Sequence, residues 1–321
     1  MNAIFIPEFA SWESTLRCSM ECEHCGLGAG PFSGGIRGGE LNTCEAVEMF
    51  SDLASLGVKK FIASGGEFTA RNDWKILLIE LLKRFDMVRQ ITNGWMGSAM
   101  LRNIEKIPGC ERMVLSVSVD GLQFTHDANR RTGSFEKVSE IFSDNSPIHR
   151  TAITTVMKKN FNELEDIFLW LYQIGVPVWS IQLGLPEGRM PESEFIGIDR
   201  MKILTDKISN WQRRALGVME IIPDDCFGYC HPMRDMYPWC GCQAGKNLIT
   251  ILSNGDITGC PTTFYAPCGN IREYTIHEIW NGSKMEKFRS EIPVCDSCIN
   301  EKCLGGCRAV ERCFGKQFCF T

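Results

Sequence analysis

Between residues 9 and 216 the spacing of apolar positions switches repeatedly between strand-like and helix-like periods. A first strand is expected through Phe9–Arg17. Asn42–Leu56 places Ala46, Val47, Phe50, Leu53 and Leu56 on one helical face, and Gly57 ends it. Val58–Ala63 reads as a strand running into Ser64-Gly65-Gly66-Glu67. Trp74–Phe85 reads as a helix and Val88–Thr92 as a strand closing on Asn93-Gly94. Met113–Val119 is a further strand, with Asp120-Gly121 at its end. A helix over Phe135–Phe142, a β-branched strand His149–Met157, a helix Leu164–Ile174 and a strand Val176–Leu183 follow. A helix over roughly Asp199–Leu216 closes the series. This alternation predicts an α/β fold with six βα units around a parallel sheet. Six units are too few for a closed eight-stranded barrel, and chemistry in βα barrels gathers at the C-terminal strand ends.

Beyond residue 218 the pattern changes. Two β-prone runs, within Leu248–Leu252 and Ile257–Gly259, flank Asn254-Gly255, a type I′ hairpin signal. Such a hairpin would bring Cys242 and Cys260 together. The expected division is 1–218 and 219–321.

Composition narrows the class. The 321 residues are 44% apolar, enough for a sizeable core. A net charge of −5 without basic clusters argues against nucleic acid as a partner. The N-terminus has no basic segment followed by a long apolar one, and no apolar run approaches the roughly 18 residues of a membrane span. A cytoplasmic chain without a membrane partner is therefore expected. Its seventeen cysteines then read as metal ligands rather than disulfides. Twelve of them lie between Cys226 and Cys319, and only five come before.

Cys18, Cys22 and Cys25 form a C-x3-C-x2-C run. Thiolates so close in sequence can converge on one iron–sulfur cube and leave its fourth iron open. Taken alone, the run also admits a zinc site. The run resembles that of the radical S-adenosylmethionine (SAM) superfamily. The resemblance implies a partial (β/α)6 barrel, open on one side. It also implies a [4Fe–4S] cluster on these three cysteines whose open iron chelates SAM. Reductive cleavage of SAM then yields a 5′-deoxyadenosyl radical.

The resemblance extends along the chain. Gly65-Gly66-Glu67 resembles the family's GGE motif, which holds the amino group of SAM, although Phe68 stands where proline is usual. Ser118 through Asp120-Gly121, His126-Asp127, Arg130 and Gly133-Ser134-Phe135 resembles a stretch of radical SAM peptide maturases. It implies SAM contacts for Ser118 and Arg130, with Asn93 a weaker candidate. The tail resembles the SPASM domain, with one spacing a residue short: Cys242, Gly255, Cys260, then Cys295-x2-Cys298-x4-Cys303-x3-Cys307, and Cys319. Gly269-Asn270-Ile271 and Ile279-Trp280 match its connecting segment.

By that resemblance Cys242, Cys260 and Cys307 hold a first auxiliary [4Fe–4S] cluster. An upstream cysteine, Cys240 with Cys230 and Cys226 as alternatives, completes it. Cys295, Cys298, Cys303 and Cys319 hold a second, with Cys313 competing for the last place. The implied activity is modification of a ribosomally made peptide or protein by hydrogen abstraction. The alternatives are a non-peptide substrate, such as an aminoglycoside or cofactor precursor, and an electron carrier. A ferredoxin- or flavodoxin-type reductant is implied. The first strand begins near Phe9, so either a separate leader-peptide-binding protein or a small substrate is expected. Pro261 stands where sulfatase-type maturases carry aspartate, which leaves the general base unassigned among Asp225, Tyr229, Tyr237 and Tyr265.

Overall fold

Parallel pairing gathers the alternating segments into one curved sheet. The computed structural model describes residues 5–34, 36–229, 233–292 and 304–315. Seven strands lie side by side in chain order: β1 (Phe9–Glu13), β2 (Lys60–Ser64), β3 (Met87–Thr92), β4 (Met113–Ser118), β5 (His149–Val156), β6 (Val178–Leu183) and β7 (Glu220–Pro223). Every neighbouring pair among them is parallel. The connections carry α1 (Thr43–Leu56), α2 (Trp74–Arg84), α3 (Ser98–Ile104), α4 (Gln123–Asn129), α5 (Ser134–Ser143), α6 (Leu164–Gln173) and α7 (Gly197–Arg214). The partial barrel is thus present, with a seventh strand that the sequence reading lacks. Glu220–Pro223 is too short for its period to stand out, and only its pairing with β6 reveals it.

Local chemistry sets the ends of these elements. Asn42 caps α1 through a reciprocal capping box with Glu45, and Gly57 closes it in the left-handed region at φ 109°. The buried face of α1 is Ala46, Met49, Phe50 and Leu53; Val47 and Leu56 sit at its margin. Beneath it Trp12, Phe50, Phe61 and Phe85 meet mostly edge to face, with centroids 4.9–6.5 Å apart. On the far side of the barrel Phe168, Trp179 and Trp211 fill the space between β6, α6 and α7.

The segment beyond residue 219 joins the same sheet. β8 (Leu248–Ile251) pairs in parallel with β1, and β9 (Asp256–Thr258) and β10 (Gly269–Asn270) continue antiparallel. α8 (Ile276–Asn281), α9 (Ser283–Ser290) and α10 (Arg308–Phe314) follow. The β8–β9 hairpin forms as expected, but its turn differs from type I′. Register pairs Ile251 with Ile257, and Leu252 donates to Asp256 across a three-residue loop. Only Gly255 of that loop has positive φ, 89°, whereas type I′ requires it at both central residues. Asn254 instead folds onto Asp256, accepting from its backbone N–H at 3.2 Å.

Candidate active site

Inward-facing residues of the strands surround a cavity of about 460 Å³ at the C-terminal end of the sheet. Ser64, Ile91, Ser118, Ile153, Thr155 and Gln182 are among their contributions. β1 is shorter than expected, because residues 14–17 leave it to pair with the next strand's loop. Ser14 donates to Ser64, Gly66 to Thr15 and Glu67 to Arg17 through backbone bonds of 2.7–2.9 Å. The glycines make this approach possible. A Cβ on Gly65 would lie 2.4 Å from the Thr15 carbonyl oxygen, and one on Gly66 would lie 2.4 Å from that of Arg17.

This pairing delivers Cys18, Cys22 and Cys25 to one wall of the cavity, all as free thiols. Burial pushes Cys18 up to about 11 and raises Cys22 as well, while Arg130 and Arg189 oppose the shift at Cys22. Arg189, from the β6–α7 connection, holds the loop's backbone: its side chain donates to the carbonyls of Cys22 and Ala29, and its N–H to that of Cys25. Among the described residues no three His, Cys, Asp or Glu side chains close on a single metal ion. Three thiols on one wall beside two guanidinium groups, with amide donors at Cys18, form a donor set that fits an iron–sulfur cube.

Glu67 does not line the cavity. Its buried carboxylate accepts from Asn93 N–H at 2.9 Å, from Thr92 Oγ1 at 3.0 Å and from Thr69 Oγ1 at 3.1 Å. Burial nevertheless raises its pKa. The side chain therefore ties the β2 loop to the end of β3, while Gly65 and Gly66 present backbone to the lumen. Asn93 also lines the cavity, but its amide is already occupied. Nδ2 faces Cys18 Sγ and Ser19 Oγ at 3.4 Å each, and Oδ1 accepts from Trp95 N–H at 2.9 Å.

Ser118 turns into the lumen with no protein partner for its hydroxyl among the described residues. Arg130 reaches the cavity but is committed to the fully buried Asp120, 2.6 Å away. His24, between Cys22 and Cys25, completes this cluster with Nε2 3.1 Å from the same carboxylate. Burial opposes the charge on Asp120, yet Arg130 and His24 outweigh it and hold the carboxyl far below its usual range. His126 accepts from the Asp120 N–H, and burial with Arg130 lowers it to about 4. Sequence marks Asp120 and Arg130 within one motif, but their grouping with His24 comes only from the fold.

The opposite wall belongs to the tail. Cys242 and Cys260 line the same cavity, as the hairpin predicts, and Cys307 joins them there. Burial takes Cys260 to about 11 and Cys307 to about 12, each further raised by its neighbouring thiols. Cys240, the expected fourth member, is exposed and lies outside the lining, with Sγ directed at the Pro238 carbonyl. Cys226 occupies the wall instead. Burial, Asp224 and Cys307 raise its thiol well above normal, and Leu183 N–H donates to its sulfur at 3.3 Å. Cys313 stands off the lining beside Glu187. Cys230, Cys295, Cys298, Cys303 and Cys319 lie outside the described residues.

Asp224 and Asp225 follow β7 into the lumen. Protein surrounds them closely, but the open cavity keeps both accessible to water. Burial, reinforced by Asp224, lifts Asp225 to about 6. Sequence alone leaves Asp225 and Cys226 as candidates among several; β7 is what carries them, with Asp224, to the lumen.

Comparison with known proteins agrees with this geometry. The model of the radical SAM superfamily matches residues 12–186, more than half of the chain. The chain belongs to the radical SAM superfamily. The SPASM iron–sulfur cluster-binding domain matches residues 240–303. SAM and iron–sulfur clusters are accordingly its cofactors, and it is an enzyme. An AdoMet-dependent heme synthase of Methanosarcina barkeri is 27% identical over 94% of this chain and 91% of that protein. The antilisterial bacteriocin subtilosin biosynthesis protein AlbA of Bacillus subtilis is 24% identical over 95% of this chain and 68% of its own length. Streptococcus suis SuiB bound to S-adenosylmethionine shares the fold, with a TM-score of 0.78 at 14% identity over all of this chain and 77% of that one. No helix among the described residues is long and apolar enough to cross a membrane.

Proposed function

We propose that this radical SAM/SPASM enzyme modifies a peptide in the cavity between its two cysteine walls. Cys18, Cys22 and Cys25 would hold the SAM-binding cluster. Cys226, Cys242, Cys260 and Cys307 would hold an auxiliary cluster across the lumen, and Cys295, Cys298, Cys303 and Cys319 a second. When bound, the first cluster and SAM supply a 5′-deoxyadenosyl radical. The protein's own task is to aim that radical and exclude competing hydrogen donors. Gly65, Gly66 and Ser118 offer SAM backbone and hydroxyl groups, and Arg130, fixed by Asp120, keeps positive charge beside Cys22.

The observation that carries the peptide reading is the chemistry of the lining. Arg130 and Arg189 are the arginines among the described lining residues, and both are committed to protein acceptors. Asp224, Asp225, Gln182 and Gln243 line it as well. Acceptors without spare cations suit backbone N–H groups. Relatives named as a bacteriocin biosynthesis protein and a mycofactocin maturase, and SuiB bound to precursor peptide SuiA, support the same reading.

The second reading, heme formation, rests on the similarity to heme synthases. Heme carries carboxylates, and the described lining offers them no uncommitted arginine. The test supplies reconstituted enzyme with SAM, a one-electron reductant and short peptides encoded beside its gene. SAM-dependent change in a peptide's mass or stereochemistry is expected. Heme formed from an iron tetrapyrrole, with every peptide unchanged, would overturn it.

A further inference from the structure

We infer that Asn93 donates a hydrogen bond to the Cys18 thiolate of the SAM-binding cluster and sets that cluster's reduction potential, with Glu67 as the residue that positions it. The inference rests on Cys18 binding the cluster, as proposed above.

One bond determines which end of the Asn93 amide faces the sulfur. Oδ1 accepts from the Trp95 N–H at 2.9 Å, so Nδ2 must be the end turned toward Cys18 Sγ at 3.4 Å. The backbone N–H of Asn93 donates to Glu67 Oε2 at 2.9 Å, and that carboxylate also receives Thr92 Oγ1. Asn93 and Glu67 are 7% and 4% exposed, which limits the competition of water for these bonds. Met20 N–H gives Cys18 a second donor at 3.4 Å.

Hydrogen bonds to the sulfurs are among the determinants of an iron–sulfur potential. Reduction by one electron makes the cluster and its thiolates more negative. An N–H donor stabilises that state more than the oxidised one, and so raises the potential. No proton moves: the amide keeps its hydrogen in both states. Inside the barrel's low dielectric the effect is larger than in water. Glu67 thereby contributes to the SAM site without touching SAM.

The test is an EPR-monitored redox titration of reconstituted holoenzyme with dithionite, wild type against Asn93→Leu. The variant's midpoint should move to more negative potential. At the wild-type midpoint the ratio of reduced to oxidised cluster should fall about tenfold, equivalent to ~59 mV for one electron. An unchanged midpoint with a full iron complement would overturn the inference. A wild-type protein with no SAM-perturbed EPR signal would fail the Cys18 assignment instead. If Asn93→Leu loses its cluster, wild-type enzyme labelled with 15N in the asparagine side-chain amide decides the matter. Pulsed EPR of the reduced cluster must then show a coupled amide nitrogen, and its absence would overturn the role.

Discussion

Burial distinguishes Cys226 from Cys240 more sharply than sequence position does. Both lie upstream of Cys242, and spacing alone admits either. Cys226 is half-buried in the lining, feels the charge of Cys307 and has an N–H donor, whereas Cys240 faces solvent. A buried thiol facing other thiols is disfavoured as a thiolate until a metal compensates its charge. Cys226→Ala should therefore release about four of the ~12 irons that three cubanes hold, while Cys240→Ala keeps them all. Iron analysis of anaerobically reconstituted variants checks this. The reverse pattern would return Cys240 to the cluster. Glu67 teaches a similar lesson: the GGE motif was legible, but its carboxylate serves the end of β3 rather than the lumen.

Among the elements, the β2 loop and the segment before Cys18 behave as one unit. Backbone bonds join Ser64 to Ser14, Gly66 to Thr15 and Glu67 to Arg17, which extends the sheet's pairing into irregular chain. The unit requires glycine, because a Cβ on Gly66 would meet the Arg17 carbonyl group at 2.4 Å from its oxygen and 2.8 Å from its carbon. Backbone on both sides leaves no flexible side chain to give way. Gly66→Ala should displace the cysteine loop, remove about a third of the iron and weaken SAM binding. Calorimetric SAM titration beside iron analysis measures both, and retention of full iron and full affinity would contradict the account. The βα alternation around this unit could be read because helices and strands impose different periods. β7 and α3, four and seven residues long, were too short for periodicity to reveal.

At the scale of the whole molecule, tail and barrel are interlocked. β8 occupies the edge of β1, Ser253 Oγ donates to Glu13 at 2.8 Å, and Trp280 Nε1 donates to the Phe5 carbonyl at 2.8 Å. Across the cavity Arg312 of α10 pairs with the buried Glu187 and lies 4.1 Å above the Tyr265 ring. Glu187 precedes Gly188 and Arg189, which hold the cysteine loop. Removing Arg312 would leave a carboxylate buried without its partner, a destabilising arrangement. In Arg312→Ala, hydrogen exchange should quicken over 185–190 as well as over α10. Quickening confined to α10 would show that the tail and the β6–α7 connection are uncoupled.

The sequence by itself determined the family, the βα alternation, the cysteine triplet and the hairpin that brings Cys242 to Cys260. Each is written in local terms: a period, a spacing, or a glycine where the backbone turns left-handed. Tertiary structure decided what depends on partners distant in sequence. It brought Cys226 rather than Cys240 to the cavity, turned Asn93 toward Cys18, gave Asp120 both His24 and Arg130, and joined β8 to β1. Which thiol is buried, and which amide faces a sulfur, follows from how segments tens of residues apart pack together, and no local pattern encodes that packing.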